Sequence, residues 1–109
     1  MLSSGDHRIR TNGDGFLVDP ADWSEEVAAA LAATAAIELT DAHWEIIRFV
    51  RDYHRRYRHL PNARMFVKAV RSALGEQKGN SLYLYRLFPA GPLKQACLIG
   101  GLPKPPSCL

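Results

Sequence analysis

The sequence predicts a mainly α-helical fold, a small orthogonal helical bundle with an N-terminal β-hairpin and a flexible C-terminal arm. Three observations carry this. Several segments repeat apolar residues at three- and four-residue steps, two turn dipeptides sit close together near the start, and the last residues are rich in proline. A length of 109 residues with 47% apolar content fits one domain over 1–109, a folded body at 1–99 and an arm at 100–109.

The elements follow in order. In HRIRTNGDGFLVD the dipeptides Asn12-Gly13 and Asp14-Gly15 lie between Ile9 and the pair Phe16 and Val18, which reads as the hairpin. A first helix is expected after Asp22, with Glu25 and Glu26 near its positive end, running through the alanines to about Ala36. Thr40 can cap a second over roughly 41–58, where Trp44, Ile47, Val50, Tyr53 and Tyr57 form a core-facing stripe. Pro61 suits a first helical position and opens a third, with Phe66, Ala69, Val70, Ala73 and Leu74 on its apolar face, and Gly75 and Gly79 bracket its exit. Asn80 or Ser81 caps the short SLYLYRLF helix, which Pro89 stops. A last helix starts at Pro92 and ends at Gly100-Gly101.

Charge is unevenly placed. Residues 1–47 hold two arginines against nine acids, and residues 48–109 hold twelve basic residues against Asp52 and Glu76. The basic half suits an acidic partner surface or a nucleic acid, and equally a solvated helix face. The start of the chain lacks an apolar stretch and the alanine run sits behind two glutamates, so neither a signal peptide nor a membrane span is expected. A cytoplasmic protein is expected, in which thiols stay reduced unless they serve redox or transfer chemistry.

The two cysteines are placed differently. Cys108 follows Pro103, Pro105 and Pro106, which favour an extended spacer hinged at Gly100 and Gly101, so its thiol can be delivered into the active site of another protein. An ordinary thiol is only a few per cent ionised at neutral pH, so its activation is expected from the partner's pocket. Cys97, in the last turn of the preceding helix, is a poor lone nucleophile and is either a resolving thiol for Cys108 or a small core residue.

The C-terminal third, GNSLYLYRLFPAGPLKQACLIGGLPKPPSCL, resembles the DsrC/TusE family of sulfur-relay proteins. That family carries a GNS-x-YLY-x-LFP-x-GP-x-KQA block and an AGLPKP-x-x-C-x ending. LTDAHWEIIRFVRDYHRRY and GFLVDPADWSEEVA are similar to it as well. The resemblance implies a persulfide-carrying role for Cys108. Cys97 matches a second cysteine typical of the DsrC branch, where TusE-type members commonly carry another residue. Gly100 stands where the family more often has alanine.

The implied function is a sulfurtransferase that acts as a carrier rather than a stand-alone catalyst. It takes sulfur from a TusBCD-like or DsrEFH-like complex and passes it to a tRNA thiouridylase, or serves dissimilatory sulfite reductase. Lys94, Lys104, Arg64, Lys68 and Arg71 are expected to help dock an acidic partner. No cofactor is expected, and His43, His54 and His59 lack the cysteine pairs and spacings of a metal site. A rival is DNA binding by a helix-turn-helix across Leu60-Pro61, with Arg64, Lys68 and Arg71 on one face. A purely structural accessory subunit with incidental thiols is a third reading.

Overall fold

The computed structural model describes residues 2–4 and 7–106. Two short strands, β1 (Leu2–Ser4) and β2 (His7–Ile9), pair antiparallel with Leu2 opposite Ile9. The helices α1 (Glu25–Thr34), α2 (Asp41–Tyr57), α3 (Ala63–Leu74), α4 (Ser81–Leu87) and α5 (Pro92–Ile99) follow. The Cα radius of gyration is 13.1 Å, and a compact chain of this length is expected near 13 Å.

The hairpin differs from the expected one. It lies wholly before the Asn-Gly and Asp-Gly pairs, which instead form a loop closed by a single Thr11–Leu17 bridge. The Asn12 side chain organises that loop, its Oδ1 accepting from the backbone N–H of Asp14 at 2.9 Å and of Phe16 at 3.1 Å. Phe16 and Leu17 turn inward and Val18 is exposed, so the alternation through Val18 does not hold.

Most helix starts follow side-chain caps. Asp19 caps a single 3-10 turn over Pro20–Asp22, and α1 begins after Ser24, whose hydroxyl accepts from Val27 N–H at 3.1 Å. The end of α1 comes at Thr34, before Ala36. Ile37 N–H bonds back to Ala32 O and Ala36 N–H to Ala33 O, with Ala36 at φ 57°, a Schellman ending in which alanine fills the place usually held by glycine. Pro61 precedes the α3 cap, and Asn62 is the residue whose side chain accepts from Met65 N–H at 2.8 Å. Asn80 caps α4.

The core explains the order of packing. Helix α5 lies at the centre, against α1, α2, α3 and α4, so most of its side chains are covered. Helix α2 contributes Ile46, Ile47 and Val50, while Trp44 and Tyr53 are half-buried and Tyr57 is exposed, so the core stripe stops short of its expected end. Helix α3 contributes Phe66 and Val70; Ala73 faces out. His43 joins two helices: its Nδ1 accepts Thr40 N–H at 3.1 Å, which leaves Nε2–H to donate to Leu87 O at 2.8 Å, and its ring meets Phe88 edge-on at 5.3 Å. Among the described residues no helix is long and apolar enough to cross a membrane.

Candidate functional site

The root of the C-terminal arm is built on α5. Pro92 opens the helix, and Gln95 reaches back so that its Oε1 accepts Ala90 N–H at 3.0 Å. Cys97 follows two residues later with 0% of its surface exposed, inside the main apolar cluster. Burial pushes its thiol up to about 12. At neutral pH the thiol is therefore held in its protonated form. In this arrangement Cys97 fills the core.

The last carbonyls of α5 need partners from outside the helix. Two side chains supply them. Trp23 Nε1–H donates to Ile99 O at 2.9 Å, and Arg51 Nη1 donates to Gly100 O. The Arg51 guanidinium also sits 3.6 Å from the centre of the Trp23 ring, a cation–π contact that joins the segment before α1 to α2. Burial, and next the Arg55 charge, lower Arg51 from its ordinary value. The cation stays charged all the same and suits the negative end of the α5 dipole.

Gly100 and Gly101, expected as the hinge, are both buried here. A Cβ on Gly100 would lie 2.8 Å from Ala96 O, and one on Gly101 would lie 2.4 Å from Trp23 Cδ1. Gly101 also has φ 71°. Close approach to Trp23 is therefore a sufficient reason for glycine at this point. The seating continues one residue further, since Leu102 is buried and its N–H donates to Cys97 O at 2.9 Å. Beyond it Pro103 and Lys104 are exposed, Pro105 is buried, and Lys104 Nζ lies 3.5 Å from Asp14 Oδ2. Cys108 lies outside the described residues.

The expected docking cations divide into separate places. Arg64, Lys68 and Arg71 come together along a groove of about 670 Å³ between α3 and the starts of α4 and α5, floored by Phe66, Val67 and Leu93. Arg71 is partly committed, its Nε donating to Gly79 O at 3.0 Å. Lys104 is on the arm beside Asp14, and Lys94 is half-buried on α5. Trp23 and Arg51 went unnoticed in the sequence. A usable signal existed for Arg51, a charge four residues after Ile47 and one after Val50, at the margin of the core stripe.

A model of the DsrC-like protein family matches residues 3–109, and the chain belongs to that family. It is 50% identical to the sulfurtransferase TusE homolog of Haemophilus influenzae, with 100% of both chains covered. The NMR structure of Allochromatium vinosum DsrC superposes with a TM-score of 0.87 at 43% identity, covering 100% of both chains. The crystal structure of the oxidized gamma-subunit of the dissimilatory sulfite reductase (DsrC) from Archaeoglobus fulgidus gives a TM-score of 0.84 at 45% identity, over 99% of this chain and 98% of that one.

Proposed function

We propose that this protein is a sulfur carrier that accepts persulfide sulfur on Cys108 and hands it on, working in the cytoplasm in 2-thiouridine modification of tRNA. The observation that carries the reading is end-to-end likeness, at half identity, to a TusE sulfurtransferase homolog, within a family match that includes Cys108. The donor is a TusBCD-like or DsrEFH-like complex and the acceptor a tRNA thiouridylase.

The chemistry is an exchange without net oxidation. The Cys108 thiolate attacks the outer sulfur of a donor persulfide, a new S–S bond forms at Cys108, and the donor's inner sulfur leaves as a thiolate. The proton lost from Cys108 passes to that thiolate or to solvent. In the second transfer an acceptor thiolate attacks the terminal sulfur of the Cys108 persulfide, and Cys108 departs as thiolate. The body's part is geometric: Trp23 and Arg51 hold the carbonyls of Ile99 and Gly100 and Leu102 N–H bonds back to Cys97 O, so the pivot lies after Leu102 rather than within the glycine pair. From there six residues span roughly 19 Å when extended.

A second reading, a DsrC-type partner of dissimilatory sulfite reductase, is favoured by Cys97, which occupies the place of the second cysteine of the DsrC branch. In that reading the Cys97 thiolate attacks the inner sulfur of the Cys108 persulfide, the Cys97–Cys108 disulfide forms and the outer sulfur leaves as hydrosulfide, which requires the end of α5 to open, since the thiol is buried.

Intact-mass analysis after incubation with a persulfide-loaded donor tests the carrier. One extra sulfur atom on the intact protein, absent from Cys108→Ser, is the expected result. Uptake undiminished in Cys108→Ser would overturn the assignment. A disulfide between Cys97 and Cys108 formed on turnover with sulfite reductase would select the second reading.

A further inference from the structure

The last two turns of α2 carry a feature that the carrier chemistry does not use. Tyr53 and Tyr57 pack at 4.7 Å between ring centroids with their planes tilted by 53°, and His59 meets them at 6.2 and 6.3 Å. Tyr57 is 50% exposed. The cluster is anchored from below, because Phe49 lies 6.4 Å from Tyr53 and 6.3 Å from the core residue Phe66. Arg55, Arg56 and Arg58 are interleaved with these rings and all are exposed. Arg58 ends the helix in the left-handed conformation, at φ 61°.

Between α2 and α3 the same rings open onto a cleft of about 380 Å³. Tyr53, Arg56 and Tyr57 stand on one side and Ala69 and Ala73 on the other. The small side chains of that side, the two alanines and Ser72, leave room beside the tyrosines. Asp52 is the acid in this lining, and its Oδ1 already accepts from Arg55 at 2.7 Å.

We propose that this end of α2, with the α2–α3 cleft, is a contact surface for single-stranded RNA, the loop of a tRNA. An unpaired base enters the cleft against Tyr57, and Arg56 and Arg58 meet the flanking phosphates. Basic residues at a helix C-terminus complement the dipole and explain the arginines on their own; they do not explain exposed aromatic rings gathered among them. The carboxylate decides between partners. An acidic peptide entering the cleft would meet Asp52, whereas the amino groups of a base are donors a carboxylate accepts. A duplex offers no unstacked base to a cleft of this size. The choice of tRNA among RNAs rests on the proposed role in thiouridine formation; the surface itself does not.

The test is fluorescence anisotropy with a labelled anticodon stem-loop RNA, a duplex DNA of equal length, and poly-glutamate. Binding to the RNA should be tightest and should weaken as salt rises. Tyr57→Ala should weaken it about fivefold or more while Tyr57→Phe keeps it. Arg56→Gln should reduce the slope of log affinity against log salt by about one. Sulfur uptake on Cys108, followed by mass, should be the same in all three variants. RNA affinity no better than that for duplex DNA or poly-glutamate, or unchanged in Tyr57→Ala, would overturn the proposal. Loss of sulfur uptake by the unaltered protein with RNA binding intact would count against the carrier reading alone.

Discussion

Helix α2 presents arginines in two settings only one turn apart. Arg51 lies on the Trp23 ring and donates to the last carbonyl region of α5, whereas Arg55 and Arg56 stand in solvent beside exposed tyrosines. Residue type and local sequence are nearly the same. The difference lies in what the rest of the chain brings to each position: α5 and the segment before α1 close over Arg51, and nothing among the described residues covers the end of α2. The arm root is therefore held by long-range contacts, and the α2 terminus is left to meet something else.

The sharpest way to break this contrast is to disturb the closed region at its tightest point. In Gly101→Ala a Cβ would fall 2.4 Å from Trp23 Cδ1 at a backbone φ of 71°. Overpacking and left-handed strain together should cost about 2–4 kcal/mol, read as a lower urea midpoint at unchanged slope. Arg58→Gly, at an exposed left-handed position that glycine adopts freely, should stay well below that.

The two arginine settings can be compared directly. Arg51→Met removes the donor to Gly100 O and the stacked cation, and should cost about 1–3 kcal/mol. Arg55→Met breaks an exposed pair with Asp52 and should change stability by less than about 0.5 kcal/mol. Equal losses in chemical denaturation would erase the distinction between the two regions.

How far each region was legible in the sequence follows the same line. The helices were readable because an apolar period and local caps are short-range signals: Thr40, Asn80, Pro92 and the glycines after α5 fell where the sequence placed them. The end of α1 was not readable, because Ala36 takes a left-handed turn with no glycine to announce it. The hairpin was displaced because the Asn-Gly and Asp-Gly pairs are strong turn signals that here serve a side-chain-organised loop, while the strands pair ahead of them. Trp23 and Arg51 were missed for a different reason. Their partners, Ile99 and Gly100, are far away in the chain, and no periodicity encodes a contact of that kind. The sequence leaves Cys97 between a resolving thiol and a core residue, and its full burial in this arrangement comes only from the packing of α5.

That buried thiol gives the comparison a pH signature. In the unfolded chain the Cys97 thiol ionises near its ordinary 9.0, and in the folded chain only near about 12. Between those values the unfolded state binds fewer protons, so this contribution is present in full below pH 9 and is lost as pH rises, by about 1.4 kcal/mol per unit at most. Stability curves for the unaltered protein and Cys97→Ala should converge over that range. Parallel curves would mean the thiol is not held protonated by the core. In Cys108→Ser, a thiol reagent should react with Cys97 only as fast as the protein opens.

The smallest effect concerns the arm just beyond its root. Lys104 and Asp14 are 3.5 Å apart with both side chains substantially exposed, so Lys104→Ala should change stability by less than about 0.5 kcal/mol and the change should vanish in high salt. The weakness of this pair matters for a carrier. A segment that must leave the body to meet one partner and then another cannot be held by contacts as strong as those on Gly100 and Gly101, or each departure would add to the barrier for transfer. Lys104→Ala should therefore leave the yield of sulfur uptake unaltered and change its rate by less than about twofold at low salt. A large slowing would show instead that Lys104 docks the partner, the role expected of it from the sequence, and would move the functional boundary of the arm from Leu102 to this lysine.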